Sequence, residues 1–515
     1  MAGVSCAAVD DLPGKAASLW METAPPISFP TADPNLSVDV AILGAGICGI
    51  TAAVLLKRAG LRVALIEADR VAAGVSGYTT AKVTSNHGLL YHSLRSNHGA
   101  EGARVYAEAN QAGLERIASF VEEGSIECDF RRRPAITYTE GRDEVGQVEA
   151  EVEAAREAGL PVSFVDTAPD LPYPIAGGIS YAEQAEFHVR RYLLPLAREV
   201  PGDGSYVAEG VRALGVSEGS PCAVRTDRGT VTADHVLVAT HYPFLDRGLF
   251  FARLSAERSY ILAAEIEGDP PAGMYLSTES PAHSIRSQPE AGRELVLIGG
   301  ESHKAGQADE AERYRRLEEW ARGRFDVRAF QYRWSTQDAM PADGIPYVGP
   351  VTPRSKRVLT ATGFRKWGLT NGTAAAMMLA DRVLGLDNPW QETFDSNRLT
   401  PLASAKKLVK ENVNVGMHFV GDRIRRHNPP GPESLAPGEG AIVSAGGGKV
   451  AAYRDDGGAL HGVSPVCTHL WCLVEWNTAE RSWDCPCHGS RFDVEGRVIQ
   501  GPAVKDLEAK PLGEG

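Results

Sequence analysis

The chain has 515 residues, which is too long for a single hydrophobic core, so two or three domains are expected. Its composition, 43% hydrophobic and 23% charged residues, is ordinary for a globular protein, and a net charge of −13 without a basic block argues against a nucleic-acid partner. No apolar run approaches about eighteen residues, and the first residues lack a basic stretch followed by an apolar one, so neither a transmembrane helix nor a signal peptide is predicted. We therefore expect a cytoplasmic protein in which residues 1–37 form an N-terminal extension.

A dinucleotide-binding unit is predicted directly after this extension. An apolar run at 38–43 is typical of a buried parallel strand, a helical pattern follows at 50–58, and a second apolar run at 62–66 ends on Glu67. The turn between the first strand and the helix carries G-x-G-x-x-G, with its glycines at Gly44, Gly46 and Gly49. Because strand, glycine turn, helix, strand and acidic terminus occur together, the segment predicts a dinucleotide site rather than a chance glycine pattern.

Each residue of this motif has an expected role. Gly44 is predicted to make the tight turn, Gly46 to let the backbone approach the pyrophosphate, and Gly49 to let the helix pack closely on the strand. The N-terminus of the helix would face the phosphates with its partial positive charge. Glu67 is predicted to bind the ribose hydroxyls, and its charge would repel the 2′-phosphate of NADP.

Three later segments resemble the flavin-contacting segments of the D-amino-acid-oxidase and glycine-oxidase superfamily. They are "GVSGYTTAKVTSNHG" (74–88), "DHVLVATHYPF" (234–244) and "VLTATGFRKWGLTNGTAAAMMLADRVLG" (358–385). The resemblance implies FAD rather than NAD as the cofactor, and the sequence has no second G-x-G-x-x-G for a separate NAD(P) site. It implies further cofactor contacts from Ser76, Thr80, Ala239, Thr240, Gly363, Trp367, Gly368 and Thr370.

The last of these segments also supplies the candidates for catalysis, Arg365 and Lys366. A helix that begins near Leu369 would direct its positive end at the flavin edge where reduction builds negative charge. A cation just before it could accept a substrate carboxylate or stabilise reduced flavin, although a loop position also allows both side chains to face solvent. Weaker candidates, each more typical of a structural role, are His241, Tyr242 and Tyr260.

The resemblance also bears on how FAD is attached. In dimethylglycine-dehydrogenase-like relatives, a histidine in the first Gly-Ser-rich segment bonds covalently to FAD. The matching residue here is Tyr78. We therefore expect non-covalent FAD.

The order of these segments predicts an α/β fold, a Rossmann-like FAD domain with an antiparallel α+β substrate domain, followed by an all-β domain. Proline and glycine in "RRHNPPGPESLAPGEG" mark a domain boundary, and short strands separated by Gly turns follow it. The expected ranges are 38–95, 175–245 and 335–398 for the FAD domain, 96–174 and 246–334 for the substrate domain, 399–435 for a connector, and 436–515 for the all-β domain.

Two hexapeptides in the last domain, "CTHLWC" and "CPCHGS", bring four candidate metal ligands into two short loops: Cys467, His469, Cys485 and His488. Two thiolates and two imidazoles fit a tetrahedral zinc site, so the residue types alone leave the metal open. Each loop gives one sulfur and one nitrogen, however, whereas zinc fingers usually pair like with like. That alternation suits a two-iron cluster in which one iron takes two cysteines and the other takes two histidines.

The hexapeptides closely resemble the cluster loops of Rieske [2Fe–2S] proteins. The resemblance implies a disulfide between Cys472 and Cys487 that clamps the loops, and it identifies "GRVIQGPA" (496–503) as the Gly-Pro loop that covers the cluster. It implies that the Ser490 hydroxyl bonds a bridging sulfide, while Phe492 stands where high-potential members have a tyrosine that bonds a cysteine sulfur. The other cysteines are expected to be free thiols: Cys6, Cys48, Cys128 and Cys222.

The whole order resembles bacterial fusions of an amino-acid-oxidase-like flavoprotein with a C-terminal Rieske domain. The flavoprotein superfamily oxidises the C–N bond of amines, N-methyl amines and amino acids, or a secondary alcohol. A flavin takes two electrons as a hydride, whereas a Rieske cluster passes one electron at a time. The resemblance therefore implies an oxidoreductase whose electrons leave FAD singly, through the cluster, to an external acceptor.

Three alternatives remain at this level. The protein could be a non-enzymatic electron carrier or redox sensor, or an external donor could reduce the flavin through the cluster. A Rieske oxygenase would need a mononuclear iron held by two histidines and a carboxylate. His87 and His92 have suitable spacing, but Thr84 stands where the acid is expected, and the Rieske domain lies at the wrong end of the chain.

Overall fold

Among the described residues, helices and strands alternate as far as residue 398, and strands predominate from residue 429 onward. The computed structural model describes residues 11–24, 27–29, 35–398 and 429–512, so most of the predicted connector lies outside the described residues. The helices of the described part are α1 (Leu19–Thr23), α2 (Ile47–Arg58), α3 (Tyr91–Glu123), α4 (Val145–Glu157), α5 (Val189–Arg198), α6 (Phe250–Arg253), α7 (Glu310–Arg324), α8 (Gly368–Leu384) and α9 (Gln391–Phe394). None of them is both long enough and apolar enough to cross a membrane.

The strands complete the inventory of elements. Those that precede residue 400 are β1 (Lys15–Ala16), β2 (Ser37–Leu43), β3 (Val63–Ile66), β4 (Lys82–Val83), β5 (Arg131–Thr139), β6 (Val162–Val165), β7 (Gly177–Glu186), β8 (Tyr206–Ala208), β9 (Ala213–Ser217), β10 (Cys222–Thr226), β11 (Thr230–Val238), β12 (Leu254–Ile266), β13 (Met274–Ser277), β14 (Ser284–Glu290), β15 (Arg293–Lys304), β16 (Val327–Pro341), β17 (Tyr347–Pro350) and β18 (Val358–Thr362). Those of the C-terminal domain are β19 (Gly440–Ala445), β20 (Gly448–Arg454), β21 (Leu460–Val463), β22 (Glu475–Asn477), β23 (Ser482–Asp484), β24 (Arg491–Phe492) and β25 (Val498–Gln500).

A parallel sheet carries the predicted dinucleotide unit. Its order is β17-β18-β11-β2-β3-β8, and all neighbours from β18 to β8 are parallel. The central strands β2 and β3 are almost entirely buried because helices cover the sheet, with α2 and α8 packed on one another. β9 and β10 extend the sheet antiparallel from β11. The predicted Rossmann-like fold is confirmed.

The second sheet has ten strands and is mostly antiparallel. Its order is β1-β16-β12-β15-β14-β13-β5-β7-β4, with β6 paired to β7, and only β1–β16 and β5–β13 are parallel pairs. β7 pairs with β5 in this sheet, although residues 177–186 lie inside the range predicted for the FAD domain. β16 crosses the predicted boundary at 335, so one strand carries residues of both parts.

The C-terminal domain is all-β, as the sequence predicts. It consists of a three-stranded sheet, β19-β20-β21, and a four-stranded sheet, β22-β23-β24-β25, with every neighbouring pair antiparallel. The two cluster hexapeptides lie between strands, before β22 and between β23 and β24. Their cysteines are buried in the apolar core of this domain.

Candidate active site and cluster site

The glycine turn after β2 has no room for side chains. Gly44 has a φ of +101°, and a Cβ there would lie 2.5 Å from the carbonyl oxygen of Ala239. A Cβ on Gly49 would lie 1.9 Å from the carbonyl oxygen of Gly44. The helix can therefore pack this closely against the strand only because residue 49 is glycine. A Cβ on Gly46 would meet only Ser76 Oγ, at 3.0 Å, on the side that opens into a cavity. A backbone cradle of this kind fits a pyrophosphate.

The acidic residue at the end of β3 closes the same cradle. Glu67 accepts the Ala45 N–H at 2.8 Å and the Asp69 N–H at 3.0 Å, and its side chain lines the cavity. Burial raises the pKa of this carboxyl, and the two backbone N–H groups partly offset that rise. Glu67 therefore lies beside the glycine turn, and its contact with the ribose hydroxyls stays a prediction.

The cavity has a volume of about 1400 Å³ and joins segments that are far apart in the sequence. This volume exceeds the roughly 300–1,000 Å³ of a typical small-ligand pocket. It is large enough for an extended dinucleotide together with a substrate. α8 begins at its wall, so the positive end of that helix faces the interior. The predicted cofactor and catalytic residues that line it are Gly44, Gly46, Glu67, Ser76, Thr80, Ala239, Thr240, Arg365, Lys366, Trp367 and Gly368, together with the weaker candidates His241, Tyr242 and Tyr260.

Three predicted cofactor residues support the cavity from behind its wall. Gly49 is the contact point between α2 and the glycine turn. Gly363 has a φ of +79° and makes the turn between β18 and α8. Thr370 is buried and donates its hydroxyl to the carbonyl oxygen of Thr84 at 3.0 Å, which ties α8 to the first flavin segment.

The two candidate catalytic cations differ in their partners. Lys366 Nζ lies 3.0 Å from Glu257 Oε2 and 2.8 Å from Ser302 Oγ, so its charge is already paired. The half-buried Arg365 makes no side-chain hydrogen bond or ion pair with any other described residue. Burial lowers the pKa of its guanidinium. Both residues have positive φ, 53° for Arg365 and 67° for Lys366. This conformation is unfavourable for residues with side chains, and strained residues of this kind are common at functional sites.

His87, which belongs to the first flavin segment, is buried at the cavity wall, although no cofactor contact was predicted for it individually. Its Nε2 donates to the carbonyl oxygen of Thr84 at 2.8 Å, and its Nδ1 accepts from the Tyr106 hydroxyl at 2.7 Å. The ring stacks on Trp367 with 4.8 Å between centroids. Because both ring nitrogens are engaged and His92 is exposed, this pair does not form the iron site that an oxygenase would need.

Tyr260 and Gln337 are two more wall residues whose contacts the sequence does not reveal. The Tyr260 hydroxyl donates to His303 Nε2 at 2.8 Å, while His303 Nδ1 donates to the carbonyl oxygen of Lys304. Gln337 Nε2 donates to the carbonyl oxygen of Gly489 at 2.7 Å. This last bond joins the FAD cavity to the second cluster hexapeptide, across 152 residues of sequence.

The four predicted cluster ligands converge. The Nδ1 atoms of His469 and His488 are buried and have no hydrogen-bond partner in the described part of the chain, and the ring centroids lie 5.1 Å apart. The Cys485 thiol hydrogen-bonds Cys467 and thereby lowers the pKa of Cys467, so the two sulfurs face each other. Two inward imidazole nitrogens and two free thiols are the donor set that a Rieske cluster requires.

The disulfide between Cys472 and Cys487 is present, which confirms that prediction. The sulfurs of Cys472, Cys485 and Cys487 lie within 4.8 Å of one another, but two of them are joined, and only Cys485 is left as a ligand in that group. The Ser490 hydroxyl oxygen accepts the Ala503 N–H at 3.0 Å and lies within hydrogen-bonding reach of Cys467. Phe492 is fully buried in the domain core.

The histidine side of the cluster loops faces the flavoprotein. His488 is 3% exposed, and its ring packs edge-on against Tyr242 and Phe251, with centroid distances of 6.5 and 6.0 Å. His469 Nε2 donates to Asp246 Oδ1 at 2.9 Å, which leaves Nδ1 as its free nitrogen. Tyr242 also lines the FAD cavity, so a single buried side chain contacts both cofactor sites.

A buried ionic network fastens the Rieske domain to the large sheet. Arg258 of β12 is 1% exposed and reaches Glu480 at 3.0 Å and Asp484 at 3.3 Å. Arg491 binds the same two carboxylates. Burial alone would raise the pKa of Asp484, but Arg491 and Arg258 outweigh it and hold the value at about 2. Charges this deep are stable only when paired, so the network fixes how the two parts dock.

The Rieske domain also forms part of the wall of the FAD cavity. Glu480 and Arg491 line it together with residues 498–503 of the Gly-Pro loop and the adjoining Val504. Glu480 and Arg491 interact electrostatically with Tyr78, which also lines the cavity. The two cofactor sites therefore share a boundary.

A dinucleotide cradle next to a docked two-iron site defines a flavoprotein with a built-in iron–sulfur module. Residues 39–382 match the family model described as FAD dependent oxidoreductase (DAO), and residues 431–511 match the Rieske [2Fe-2S] domain. The chain belongs to the DAO family of FAD-dependent oxidoreductases and carries a C-terminal Rieske domain. Its cofactors are FAD and a [2Fe-2S] cluster. Of the two metals that the hexapeptides allowed, iron is therefore confirmed rather than zinc.

Individual relatives agree with this assignment. A Bacillus subtilis (strain 168) protein, YhfW, described as a Rieske 2Fe-2S iron-sulfur protein, is 36% identical over 494 residues, which cover 95% of this chain and 96% of that one. The cytochrome b6-f complex iron-sulfur subunit 1 of Nostoc is 55% identical over 47 residues, 9% of this chain and 26% of that protein. Glycine oxidase from Geobacillus kaustophilus has the same fold, with a TM-score of 0.59 and 18% identity over 71% of this chain and 99% of its own.

Proposed function

We propose that the protein dehydrogenates the C–N bond of a small amine, N-methyl amine or amino acid at FAD and passes the electrons singly through the Rieske cluster to an external acceptor. The observation that carries this proposal is that one cavity is lined both by FAD-segment residues, such as Gly44 and Glu67, and by Glu480 and Arg491 of the Rieske domain. FAD supplies hydride acceptance and the cluster supplies one-electron transfer. A shared wall supports transfer within the chain because no second protein is needed to bring the sites together.

The ligands of both cofactors belong to the proposal. For FAD they are the cavity residues of the glycine turn, the flavin segments and the start of α8: Gly44, Gly46, Glu67, Ser76, Thr80, Ala239, Thr240, Trp367 and Gly368. For the cluster they are Cys467, His469, Cys485 and His488. Tyr78 cannot form the histidyl bond to FAD, so the flavin is expected to leave the protein on acid precipitation, and a yellow pellet would contradict that expectation.

We assign substrate recognition to Arg365. Arg365 lines the cavity, is half-buried and makes no ion pair or side-chain hydrogen bond with another described residue, although the charges of Glu257 and Glu151 act on it, so its guanidinium suits a substrate carboxylate. Lys366, already paired with Glu257, is better suited to favour negative charge on reduced flavin. An amine that enters the site uncharged needs no catalytic triad to remove a proton.

The cysteines outside the cluster domain support a reducing, cytoplasmic setting. Three of them are buried free thiols: Cys48, Cys128 and Cys222.

The decisive experiment is anaerobic mixing of the purified holoprotein with panels of amines, N-methyl amines, amino acids and secondary alcohols. The expected result is bleaching of the flavin band, followed by the spectral change of cluster reduction. Bleaching by an alcohol alone would replace the C–N assignment, and reduction of the cluster before the flavin would reverse the proposed direction of flow. If no panel compound bleaches the flavin while a redox-protein donor does, the protein is an electron carrier.

Arg365 is tested with the substrate that this panel identifies. Arg365→Gln should raise KM for a carboxylate substrate by roughly 10- to 100-fold, because a charge-assisted hydrogen bond contributes about 1.5–3 kcal/mol. Arg365→Lys should recover part of that loss. An amine without a carboxylate should be unaffected by either change, and equal losses for both substrates would show that Arg365 only supports the turn.

A further inference from the structure

The Gly-Pro loop of the Rieske domain borders both cofactor sites. At one end, Ala503 donates its backbone N–H to Ser490 Oγ at 3.0 Å, and the Ser490 hydroxyl lies within hydrogen-bonding reach of Cys467. At the other end, the carbonyl oxygen of Val498 accepts a hydrogen bond from Arg212 Nη2 of the flavoprotein at 3.0 Å. The loop therefore extends from the cluster site to the FAD cavity, whose wall it helps to form.

The segment that carries Arg212 shows which part of the cavity the loop reaches. Just before Arg212, Gly210 donates its N–H to the carbonyl oxygen of Asp69 at 2.8 Å, and Val211 donates to the carbonyl oxygen of Glu67 at 2.9 Å. In a dinucleotide-binding fold, the acidic residue at the end of the second strand binds the adenosine ribose. The Rieske loop therefore adjoins the end of the cavity at which the adenosine half of FAD is expected.

Ile499 is an exposed apolar side chain at this end of the cavity. The preceding Val498 is 7% exposed and packs in the core of the Rieske domain. Because side chains alternate along a strand, Ile499 of β25 points away from that core, and it lines the cavity while 51% exposed. A flat, uncharged base that covered this side chain would remove apolar surface from water, and adenine needs no charged partner to do so.

We propose that the Rieske domain completes the FAD site, with Ile499 packing on the adenine of FAD. This assignment rests on the proposed FAD contacts, that of Glu67 above all, and is independent of the substrate and of the direction of electron flow. FAD binding is then coupled to docking of the Rieske domain, because that domain contributes the wall that covers adenine. By thermodynamic linkage, FAD stabilises the docked arrangement by the same factor by which docking strengthens FAD binding.

The first test measures FAD binding rather than turnover. The dissociation constant of FAD is determined by equilibrium dialysis of the holoprotein in graded potassium bromide, with iron content and the cluster EPR signal recorded for each variant. Ile499→Ser removes the apolar contact, and Ile499→Leu is the conservative variant. Leu460→Ser is the matched control, because Leu460 is a half-buried apolar residue of the same domain that does not line the cavity. Glu67→Ala serves as the reference for the adenosine end.

Ile499→Ser should raise the dissociation constant of FAD by about tenfold, as expected when roughly half of an isoleucine's apolar surface loses its contact. Ile499→Leu and Leu460→Ser should keep the wild-type value. If Ile499→Ser has no effect while Glu67→Ala weakens binding, the loop assignment is overturned and the Glu67 contact stands. If neither change has an effect, the adenosine end lies elsewhere and the proposed FAD contacts fail as well. An equal loss in Leu460→Ser would assign the effect to the stability of the domain and overturn the contact.

The second test locates the adenine directly. Flavin-free protein is reloaded with FAD that carries a photoreactive azide on its adenine, then irradiated, digested and analysed by mass spectrometry. We expect the label on the peptide that contains residues 498–500 of the Rieske domain, and less of it in Ile499→Ser. Label confined to peptides of the flavoprotein part would overturn the contact.

Discussion

The two cofactor sites of this protein are built on opposite plans. The proposed FAD site depends mainly on backbone, namely glycines and a helix end, with a few side chains such as Glu67, and its residues come from segments between Gly44 and Gly368. The cluster site is made of side chains on two hexapeptides, closed by the Cys472–Cys487 disulfide. A site whose ligands are side chains should lose its cofactor when one ligand is replaced. A site formed by backbone groups should lose its cofactor only when an added atom blocks it or when the surrounding structure loosens.

The largest effect is expected from removing a cluster ligand. His488→Ala should abolish the [2Fe-2S] cluster, because the second iron would keep only one of its two imidazoles. FAD content and flavin reduction by substrate should persist, while turnover with a one-electron acceptor collapses. The measurements are iron and FAD per chain, with His461→Ala in the same domain as the control. Normal turnover of His488→Ala with the one-electron acceptor would show that electrons do not pass through the cluster.

The corresponding change in the FAD site is Gly49→Ala. The new Cβ would lie 1.9 Å from the Gly44 carbonyl oxygen, so α2 must move away from the glycine turn. We expect loss of most bound FAD and a loss of roughly 1–3 kcal/mol in unfolding free energy, with the cluster retained. Gly146→Ala is the control, because nothing lies within 4 Å of a Cβ there. Retention of FAD by Gly49→Ala would show that the turn can adapt.

A smaller effect is expected from hydrogen bonds to the cluster. Ser490→Ala removes a hydroxyl near Cys467 and should lower the reduction potential, whereas Phe492→Tyr should raise it, because a donor stabilises the more negative reduced state. A charge-assisted hydrogen bond of about 1.5–3 kcal/mol corresponds to roughly 65–130 mV for one electron. Protein-film voltammetry measures both. An unchanged potential in Ser490→Ala would show that this hydroxyl does not contact the cluster.

The smallest effect concerns the scaffold behind the FAD site. His188 contacts Thr23 of α1, and Ser18 and Trp20 beside it donate to carbonyls of the first flavin segment. Burial, then the charge of Arg191, lowers the pKa of His188 to about 3, against about 6.5 when unfolded. As the pH falls, His188 is protonated in the unfolded chain before it is protonated in the folded one. Its contribution to the free energy of unfolding is therefore fully present above pH 6.5 and is lost as the pH drops toward 3.

For this histidine we expect a loss of up to about 3 kcal/mol in unfolding free energy between pH 6.5 and 4 in denaturant titrations of the holoprotein. His188→Gln should flatten that dependence. The same pH slope in the variant would assign it to other groups.

The sequence was informative where chemistry is local. The disulfide and the convergence of the four proposed cluster ligands could be predicted because these residues occupy two hexapeptides, and the glycine turn could be predicted because its whole βαβ context is contiguous. The contacts between distant segments could not be predicted, because they form only once the chain has folded: Lys366 pairs with Glu257 at the cavity, and Asp246 accepts a hydrogen bond from His469, 223 residues further on. The ionic network of Arg258 likewise depends on docking, which no local pattern encodes.

The burial of the cluster loops has a consequence for how the protein is made. His488 is covered by Tyr242 and Phe251, and Cys467 and Cys485 are 0% and 2% exposed. A carrier that delivers a preformed cluster must reach all four ligands while the loops are open. We therefore expect cluster delivery to precede docking of the Rieske domain onto the flavoprotein, after which the ionic network around Arg258 stabilises the docked arrangement.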